Sequence, residues 1–243
     1  MYAIETKNLT KIYKDIKAVD GLNLTVNQGE LFSLLGVNGA GKTTTIKILS
    51  TLIKKTSGEA FVLGNSIDSN IDNVKNVINV SPQDTAVAPN LTVRENLEFI
   101  AGVYGVKGDC VKQKVNDVME QFSLKEVENQ RAKTLSGGWQ RRLSIAMALI
   151  SEPKVLFLDE PTLGLDVLAR RELWRIIEKL KGKITIILTT HYMEEAQALS
   201  DRIGVMAKGK LLTTGTPNEL MEKTNSHNIE EAFVKIAEQE VIL

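Results

Sequence analysis

Residues 36–43 read GVNGAGKT, which fits the spacing G-x-x-x-x-G-K-[ST] of phosphate-binding loops. The apolar run LFSLL precedes the loop and TTTIKILSTL follows it, so we expect the loop to join a buried strand to a helix. Glycines let consecutive backbone N–H groups point inward as an anion nest, and the helix start adds its positive dipole end. We expect Lys42 to reach the β- and γ-phosphates of a nucleotide and Thr43 to bind Mg²⁺ through its hydroxyl. The alternative is a glycine-rich turn with a solvated lysine.

Two adjacent carboxylates, Asp159 and Glu160, end a second apolar run, VLFLDE. Open α/β sheets bind their ligands at the carboxyl ends of such strands. We expect Asp159 to hold Mg²⁺ through water and Glu160 to polarise a water for in-line attack on the γ-phosphorus. A strand followed by an acidic turn is common, so this pair points to a nucleotide only together with the glycine-rich loop.

A second glycine pair occurs in TLSGGWQRR, where Thr134 or Ser136 could cap a helix that runs to Ile150. Gly137 and Gly138 fall in its first turn, although each glycine costs about 1 kcal/mol in a helix interior. The N–H groups at such a start are free to bind a second phosphate. An ordinary glycine-rich cap is the alternative.

The charge balance, the cysteine count and the lengths of the apolar runs argue against several classes of protein. Thirty lysines and arginines balance thirty aspartates and glutamates among 243 residues, which argues against a nucleic-acid binder. Cys110 is the only cysteine, so no internal disulfide forms and a reducing compartment is expected. The N-terminus lacks the apolar stretch of a signal peptide, and no apolar run approaches the ~18 residues of a membrane span. We therefore expect a soluble chain, with any membrane part supplied by another chain.

Short apolar runs alternate with helical patterns, which predicts a mostly parallel sheet under helices. Strands are predicted at 22–26, 31–36, 60–64, 76–80, 155–159, 184–190 and 202–209. Helices are predicted at 111–122, 139–150, 217–223 and 228–239, each of the first two with one apolar face. Thr216 and Pro217 fit an N-cap and a first helical residue. The stretch 84–150 interrupts the alternation and is predicted to be an inserted helical subdomain.

These motifs, in this order, resemble those of the nucleotide-binding subunits of ABC transporters, and the likeness covers nearly the whole chain. The Walker A loop of that family matches 36–43, its signature matches 135–140, and its Walker B strand with the following glutamate matches 155–160. The signature often reads LSGGQ, whereas Trp139 holds its fifth position here and Gln140 follows. The subfamily is variable at that position, so the departure does not weaken the match.

Four further residues correspond to functional positions of the family. Gln83 in SPQD resembles the Q-loop glutamine, Asp166 in LGLD the D-loop aspartate, and His191 in TTHYMEEA the switch histidine. Tyr13 is similar to the aromatic residue that stacks on adenine, although a half-buried packing role is the alternative. A histidine such as His191, taken alone, is more often structural, but its position after the strand ITIILTT, at the same sheet edge as Asp159, favours contact with the γ-phosphate.

The resemblance implies a role for each matching residue. It assigns catalysis to Glu160, His191 and Gln83, and Mg²⁺ binding to Thr43, Gln83 and Asp159. It assigns ATP contacts to Tyr13, Gly36, Asn38, Gly39, Gly41, Lys42, Thr43, Thr44, Ser136, Gly137, Gly138 and Asp166.

The implied fold is α/β, a P-loop NTPase of RecA-like type with a mostly parallel sheet, an antiparallel β subdomain and an inserted helical subdomain. A single ABC ATPase domain would fill residues 1–243. Its nucleotide-binding core would comprise 1–83 and 151–215, the helical subdomain 84–150, and a short C-terminal helical extension 216–243.

The implied function is an ATPase that energises a separate membrane permease. Two copies, or this chain and a related subunit, would pair head to tail, with Ser136, Gly137 and Gly138 of one covering the γ-phosphate held by Lys42 of the other. Hydrolysis would then open the dimer. Such a chain lies in the cytoplasm, on the inner face of the cell membrane through its permease.

The phrase LTTHYMEEAQALSDRI and the short C-terminal extension resemble the subfamily with ABC-2 type permeases, which are mostly exporters. The cargo cannot be read from the chain. One alternative is an ABC ATPase that acts on nucleic acid or ribosomes, although such proteins usually carry two cassettes or a long coiled-coil insertion. The other is a GTPase-like switch, but no N-K-x-D motif is present and LSGGWQ would be unexplained.

Overall fold

Two β-sheets form the centre of the computed structural model, which describes residues 1–239. The strands are β1 (Tyr2–Tyr13), β2 (Ile16–Asn27), β3 (Leu31–Leu35), β4 (Ser57–Val62), β5 (Asn65–Ser66), β6 (Ile78–Ser81), β7 (Val155–Asp159), β8 (Thr185–Thr190), β9 (Arg202–Ala207) and β10 (Lys210–Gly215). The helices are α1 (Lys42–Leu49), α2 (Ile71–Lys75), α3 (Val93–Val103), α4 (Asp109–Gln121), α5 (Gly137–Leu149), α6 (Val167–Glu178), α7 (Met193–Leu199), α8 (Pro217–Thr224) and α9 (Ile229–Gln239).

The larger sheet has the strand order β10-β9-β3-β8-β7-β6 and is parallel except for β10, which runs antiparallel to β9. Leu35 at the end of β3 pairs with Thr190 of β8, and Asp159 at the end of β7 pairs with Thr189. The carboxyl ends of three neighbouring strands therefore meet at one edge of the sheet. These strand ends and the segments directly after them carry the glycine-rich loop, the acidic pair and His191.

Both faces of this sheet are covered, as the continuous apolar runs predicted. Leu31 packs on one side with α3, α4, α5 and α6. Phe32 and Leu34 pack on the other side with α1 and the smaller sheet. Because side chains alternate across a strand, a strand buried on both faces needs apolar residues at consecutive positions. All five residues of β3 are buried accordingly.

The smaller sheet, in the order β2-β1-β4-β5, is antiparallel throughout. The sequence pattern missed β1 entirely and underestimated β2, because both strands are buried on one face only and carry many polar residues. The strand expected at 60–64 lies at β4 instead, since Gly64 takes a positive φ of 77° in the turn to β5. The hairpin strand β10 was also missed, because its side chains are half exposed.

Helices α3, α4 and α5 occupy the stretch between β6 and β7. The apolar face predicted for α4 is confirmed, with Val115, Met119 and Phe122 buried. The single apolar face predicted for residues 139–150 is wrong, because every residue from Arg141 to Ile150 is buried. Helix α5 packs against the sheet on one side and against its neighbouring helices on others.

The two C-terminal helices lie where the sequence predicted them. Thr216 caps α8 through a reciprocal capping box with Glu219, and Pro217 is the first helical residue. Helices α8 and α9 cover the outer strands, with Leu220 and Phe233 in one cluster with Val205. The end of the expected extension, 240–243, lies outside the described residues. No helix within residues 1–239 has both the length and the apolar character that a bilayer crossing requires.

Candidate active site

The turn after β3 tolerates only glycine at two of its positions. A Cβ on Gly36 would lie 2.4 Å from the carbonyl oxygen of Met206. At Gly41, φ is 101° and a Cβ would lie 2.3 Å from the carbonyl oxygen of Ala18. The loop is therefore enclosed by the backbone of β9 and of β2, and the lack of Cβ atoms at these positions leaves its inner N–H groups unobstructed by side chains.

Lys42 is folded back over this loop. Its side chain is only 5% exposed, and Nζ donates to the carbonyl oxygens of Gly36 at 2.7 Å and Val37 at 3.2 Å. Nζ also lies 3.2 Å from Oε1 of Glu160. A buried ammonium held this way is a fixed positive charge at the sheet edge, ready to bind an anion.

Asp159 lies beside the hydroxyl group of Thr43. Its Oδ1 accepts hydrogen bonds from Thr43 Oγ1 at 2.9 Å and from Thr189 Oγ1 at 2.5 Å. Within residues 1–239 no group of three His, Cys, Asp or Glu side chains could hold a metal. One carboxylate with a hydroxyl fits Mg²⁺, which is usually bound by one or two carboxylates, substrate phosphates and water. The donor set therefore fits the expected ion.

Glu160 connects Lys42 to His191. Its Oε2 contacts Nδ1 of His191, while its backbone N–H donates to the carbonyl and hydroxyl oxygens of Thr189, both at 3.1 Å. The residue has a positive φ of 49°, a conformation that costs a non-glycine residue about 1 kcal/mol or more. The backbone is thus strained at Glu160, and the carboxylate is held by its contacts with Lys42 and His191.

These groups line an open cleft of about 660 Å³. Among the residues predicted from the sequence, its walls include Tyr13, Asn38, Gly39, Gly41, Lys42, Thr43, Thr44, Gln83, Glu160 and His191. Gly36 and Asp159 are buried directly behind the walls. Tyr13 stands at the rim, 44% exposed, with Lys11 Nζ 4.8 Å from its ring centroid. Its exposure leaves ring surface for a planar ligand.

The start of α5 does not line this cleft. Ser136 and Gly137 are exposed, and a Cβ on Gly138 would lie 3.0 Å from Cβ of Ala169, at the start of α6. Ser136 stands at the N-cap position, but its side chain makes no capping hydrogen bond. Asp166 caps α6 by accepting hydrogen bonds from the N–H groups of Leu168 and Ala169. Ser136–Gly138 and Asp166 therefore form a second surface, which we call the α5–α6 surface.

Several residues around the site were not predicted. Ile16, Lys17, Ala18 and Lys208 also line the cleft, from β2 and from the turn between β9 and β10. No local pattern marks them, because strand pairing far along the chain brings them to the cleft.

Arg141, also missed, fixes the segment that carries Gln83. It donates to the carbonyl oxygens of Pro82 at 2.7 Å and Gln83 at 2.5 Å. Burial lowers the pKa of its guanidinium, and Asp84 and Asp159 oppose that effect. The one available signal was a pair of arginines, Arg141 and Arg142, at the start of a largely apolar stretch of helix.

Glu195, on α7, is fully buried behind the acidic pair. Its Oε1 accepts hydrogen bonds from Thr162 Oγ1 at 2.8 Å and Trp174 Nε1 at 3.0 Å. Burial raises the pKa of this carboxyl, and the hydrogen bonds only partly oppose the effect. It therefore ties the turn after Glu160 to α6.

Comparison with known proteins finds a family model and relatives that all belong to ABC transporters. A family model described as "ABC transporter" matches residues 19–163, more than half of the chain. The chain is 40% identical over 239 residues to the probable multidrug ABC transporter ATP-binding protein YbhF of Escherichia coli, covering 96% of this chain and 41% of YbhF. It therefore spans about two fifths of that relative's length.

A shorter relative and a solved structure extend the match. The daunorubicin/doxorubicin resistance ATP-binding protein DrrA of Streptomyces peucetius is 40% identical over 226 residues, covering 93% of this chain and 68% of DrrA. The dimeric ATP-binding cassette MJ0796, solved in a post-hydrolysis state with ADP and Pi, superposes with a TM-score of 0.78 at 27% identity, covering 88% of this chain and 98% of MJ0796. The predicted α/β P-loop fold is confirmed, and the chain belongs to the ABC transporter family.

Proposed function

We propose that this chain binds and hydrolyses ATP and thereby energises a separate membrane permease. The single observation that carries the proposal is the meeting of Lys42, Thr43, Asp159, Glu160 and His191 at one sheet edge beside a nucleotide-sized cleft. An ammonium, a hydroxyl, two carboxylates and an imidazole at this spacing match the parts that phosphoryl transfer requires.

The triphosphate would lie on the N–H groups of residues 36–44, with adenine on the exposed face of Tyr13. A γ-phosphate that reaches Lys42 would compete with Glu160 for its ammonium, since the two side chains pair at 3.2 Å. Thr43, Asp159 and Gln83 are the residues that would hold Mg²⁺, which would neutralise phosphate charge when bound. ATP binding would thus release the Glu160 carboxylate for a new hydrogen-bond partner.

Glu160 would then act as the general base. Its carboxylate would accept a proton from the water that attacks the γ-phosphorus. His191, in contact with the same carboxylate, would keep it oriented and would contact the phosphate. Because Glu160 is nearly buried, its carboxylate cannot swing freely into solvent. Gln83, exposed at the cleft wall, would sense the nucleotide from the other side.

We further propose that the site is completed by a second copy or a related subunit, head to tail. In one chain Ser136, Gly137 and Gly138 do not line the cleft, yet the first two are exposed and the helix start is uncapped. The N–H groups of that helix start would cover the γ-phosphate bound to the other copy. The dimeric state of the MJ0796 cassette supports a site that involves two copies.

The names of the relatives support a proposal for the direction of transport. YbhF and DrrA are described as a probable multidrug transporter component and a drug resistance protein, which favours export. An exporter of ABC-2 type is proposed because the sequence resembles that subfamily. We propose a cytoplasmic chain held at the inner face of the membrane by its permease. We also propose a division into a core (1–83 and 151–215), a helical subdomain (84–150) and an extension (216–243), which the location of α3–α5 and of α8 and α9 within residues 1–239 supports.

Glu160→Gln tests the proposal. The variant should bind ATP, release phosphate at least about 100-fold more slowly and accumulate as a dimer with ATP but not with ADP. Glu178→Gln, at an exposed position on α6, is the matched control and should behave as the wild type. Phosphate release and size-exclusion chromatography with light scattering measure both effects. Normal hydrolysis by Glu160→Gln would remove Glu160 from its proposed role.

Nucleic-acid action is the alternative function. With thirty basic and thirty acidic residues, we expect no nucleic-acid partner. This expectation is tested by measuring the hydrolysis of ATP and of GTP with and without DNA or RNA. Stimulation by nucleic acid would favour the alternative, whereas stimulation only by a co-purified membrane protein would support the permease.

A further inference from the structure

The residue after His191 places an aromatic ring against the imidazole. The ring centroids of His191 and Tyr192 lie 4.1 Å apart with an interplanar angle of 39°. The backbone N–H of Tyr192 donates to Thr190 Oγ1 at 2.9 Å, which fixes the turn between β8 and α7. The orientation of the imidazole therefore depends on where the Tyr192 ring lies.

The opposite neighbour of Tyr192 is a cation from another helix. The guanidinium carbon of Arg170, on α6, lies 4.4 Å from the Tyr192 ring centroid. Nε of Arg170 is buried without a hydrogen-bond partner, and within residues 1–239 its side chain makes no ion pair. The ring is thus the main electrostatic partner of this charge, in the geometry of a cation–π pair.

Arg170 also belongs to the first turn of α6. Its backbone N–H donates to the carbonyl oxygen of Asp166 at 3.0 Å, and Asp166 is the residue that caps this helix. A continuous set of contacts therefore runs from the exposed α5–α6 surface to the cleft. In order, it comprises Asp166, Arg170, Tyr192, His191 and Glu160.

We propose that Arg170 and Tyr192 are positioning residues, which hold the His191 imidazole against Glu160 and make its orientation depend on the start of α6. A molecule that docks on the α5–α6 surface and shifts Asp166 would then move His191 through this stack. The catalytic consequence rests on the proposed function, whereas the effect on the imidazole does not. A stack that merely fastens α6 to α7 would stabilise the fold without orienting His191.

A spectroscopic experiment tests the orientation directly. His191 and His227 are the chain's two histidines, so a ¹³C-labelled imidazole spectrum has two sets of signals, and His227 is an internal reference. Arg170→Met and Tyr192→Leu should each shift the His191 signals and leave those of His227 in place. Tyr192→Phe should keep most of the wild-type shift, because the Tyr192 hydroxyl makes no hydrogen bond within residues 1–239. Unchanged His191 signals in Arg170→Met would overturn the proposal, since that variant keeps the Tyr192 ring, whereas the shift in Tyr192→Leu also contains the loss of the ring current.

The matched control is the adjacent arginine. Arg171 is exposed on α6 and makes no ion pair or side-chain hydrogen bond in the described chain, so Arg171→Met removes the same charge without touching the stack. If Tyr192→Leu fails to fold, Arg170→Met decides the question, since it removes a partly exposed surface group.

Kinetics test the catalytic consequence. In Arg170→Met, kcat for ATP should fall about three- to tenfold, the size that a cation–π contact supports, while KM stays within about twofold. Tyr192→Phe should retain the wild-type kcat. Combining Arg170→Met with Tyr192→Leu should cost little more than Tyr192→Leu alone, because both act through one path. A changed KM with unchanged kcat would overturn the proposal, whereas a wild type without ATPase activity would refute the proposed function and leave the spectroscopic result standing.

Discussion

Two helices of this molecule begin at glycine-rich segments, and the two segments differ in how far the chain itself completes them. At the start of α1, Gly36 and Gly41 are enclosed by backbone from β2 and β9, and Lys42 has three oxygen partners. At the start of α5, Ser136 and Gly137 are exposed. The first segment is organised by its own chain, whereas the second is left open.

The N-cap residue of α5 has a hydroxyl that could cap the helix, but this hydroxyl makes no capping hydrogen bond. Serine is among the residue types that most often cap helices, and Thr92 and Thr216 cap α3 and α8 in this chain. Ser136 occupies the same position and forms no such bond. Its hydroxyl and the N–H groups at the start of α5 are therefore available to another molecule. Such groups suit an anion, and the proposed function assigns them the phosphate held by a second copy.

The largest effect is expected from a substitution in the glycine-rich segment at the start of α1. Lys42→Met should lower ATP hydrolysis about 100- to 1000-fold, because it removes the fixed charge that faces the phosphates and leaves the buried Glu160 carboxylate without its ammonium partner. Lys47→Met, at an exposed position on the same helix, is the control. Phosphate release measures both, and a loss of only a few-fold in Lys42→Met would contradict the assigned role.

The next largest effect is expected at the start of α5, where a substitution can lower activity without lowering the stability of the fold. A Cβ on Gly137 would meet nothing closer than Leu165 Cδ2 at 4.0 Å, so Gly137→Ala should leave stability unchanged or raise it by up to about 1 kcal/mol. The same Cβ would obstruct a phosphate, so hydrolysis and ATP-dependent dimerisation should fall at least about tenfold. Thermal denaturation and light scattering measure the two effects. Full activity in this variant would mean that nothing approaches α5 closely.

By contrast, Gly41→Ala should destabilise the folded protein. Its Cβ would lie 2.3 Å from a carbonyl oxygen at a φ of 101°. The two alanine variants thus distinguish a glycine required by the fold from one required by a ligand.

A smaller effect compares two N-caps. Thr216→Ala should lower the free energy of unfolding by about 1 kcal/mol, because it removes the hydrogen bond that the Thr216 hydroxyl accepts from the Glu219 N–H. Ser136→Ala should change it by less than about 0.5 kcal/mol, since no bond is lost. Urea denaturation of both variants tests this. Equal losses would show that Ser136 caps α5 after all.

The smallest effect concerns pH. Burial raises the pKa of Glu195 above its ordinary value of 4.5, so between 4.5 and the raised pKa the folded state holds a proton that the unfolded state has released. The wild type therefore loses stability from this group as the pH rises through that window. Glu195→Gln removes the titration, and its stability relative to the wild type should increase with pH from 4.5 upward.

Urea denaturation at a series of pH values measures this trend, with Glu194→Gln at the exposed neighbouring position as control. A stability difference between Glu195→Gln and the wild type that stays constant with pH would show that Glu195 titrates normally.

The sequence predicted what is local. The strand–loop–helix at 31–49 and the acidic end of β7 follow from adjacent residues, and the parallel pairing of β3, β7 and β8 then brings them to one edge. The contacts of Arg141 with Pro82 and Gln83 could not be predicted, because they join positions 58 and 59 residues apart.

The same limit applies to the residues behind the cleft. The contacts of Glu195, Arg170 and Tyr192 depend on the angle at which α6 and α7 pack. The order of these helices along the chain does not predict that angle. Nor did the pattern show that α5 is buried all round, since a helix with one apolar face and a fully buried helix can share the same apolar positions. The roles of the individual site residues remain predictions.

The central claim is that both glycine-rich helix starts bind one triphosphate, each from a different copy. In a Glu160→Gln, Cys110→Ser background, one pool of protein would carry Val37→Cys and another Lys133→Cys, both at exposed positions beside the two segments. The mixed pools would be treated with a short bismaleimide. A covalent dimer that forms with ATP and Mg²⁺ but not with ADP is the predicted result. Absence of the ATP-dependent product, or equal yield without nucleotide, would contradict the account.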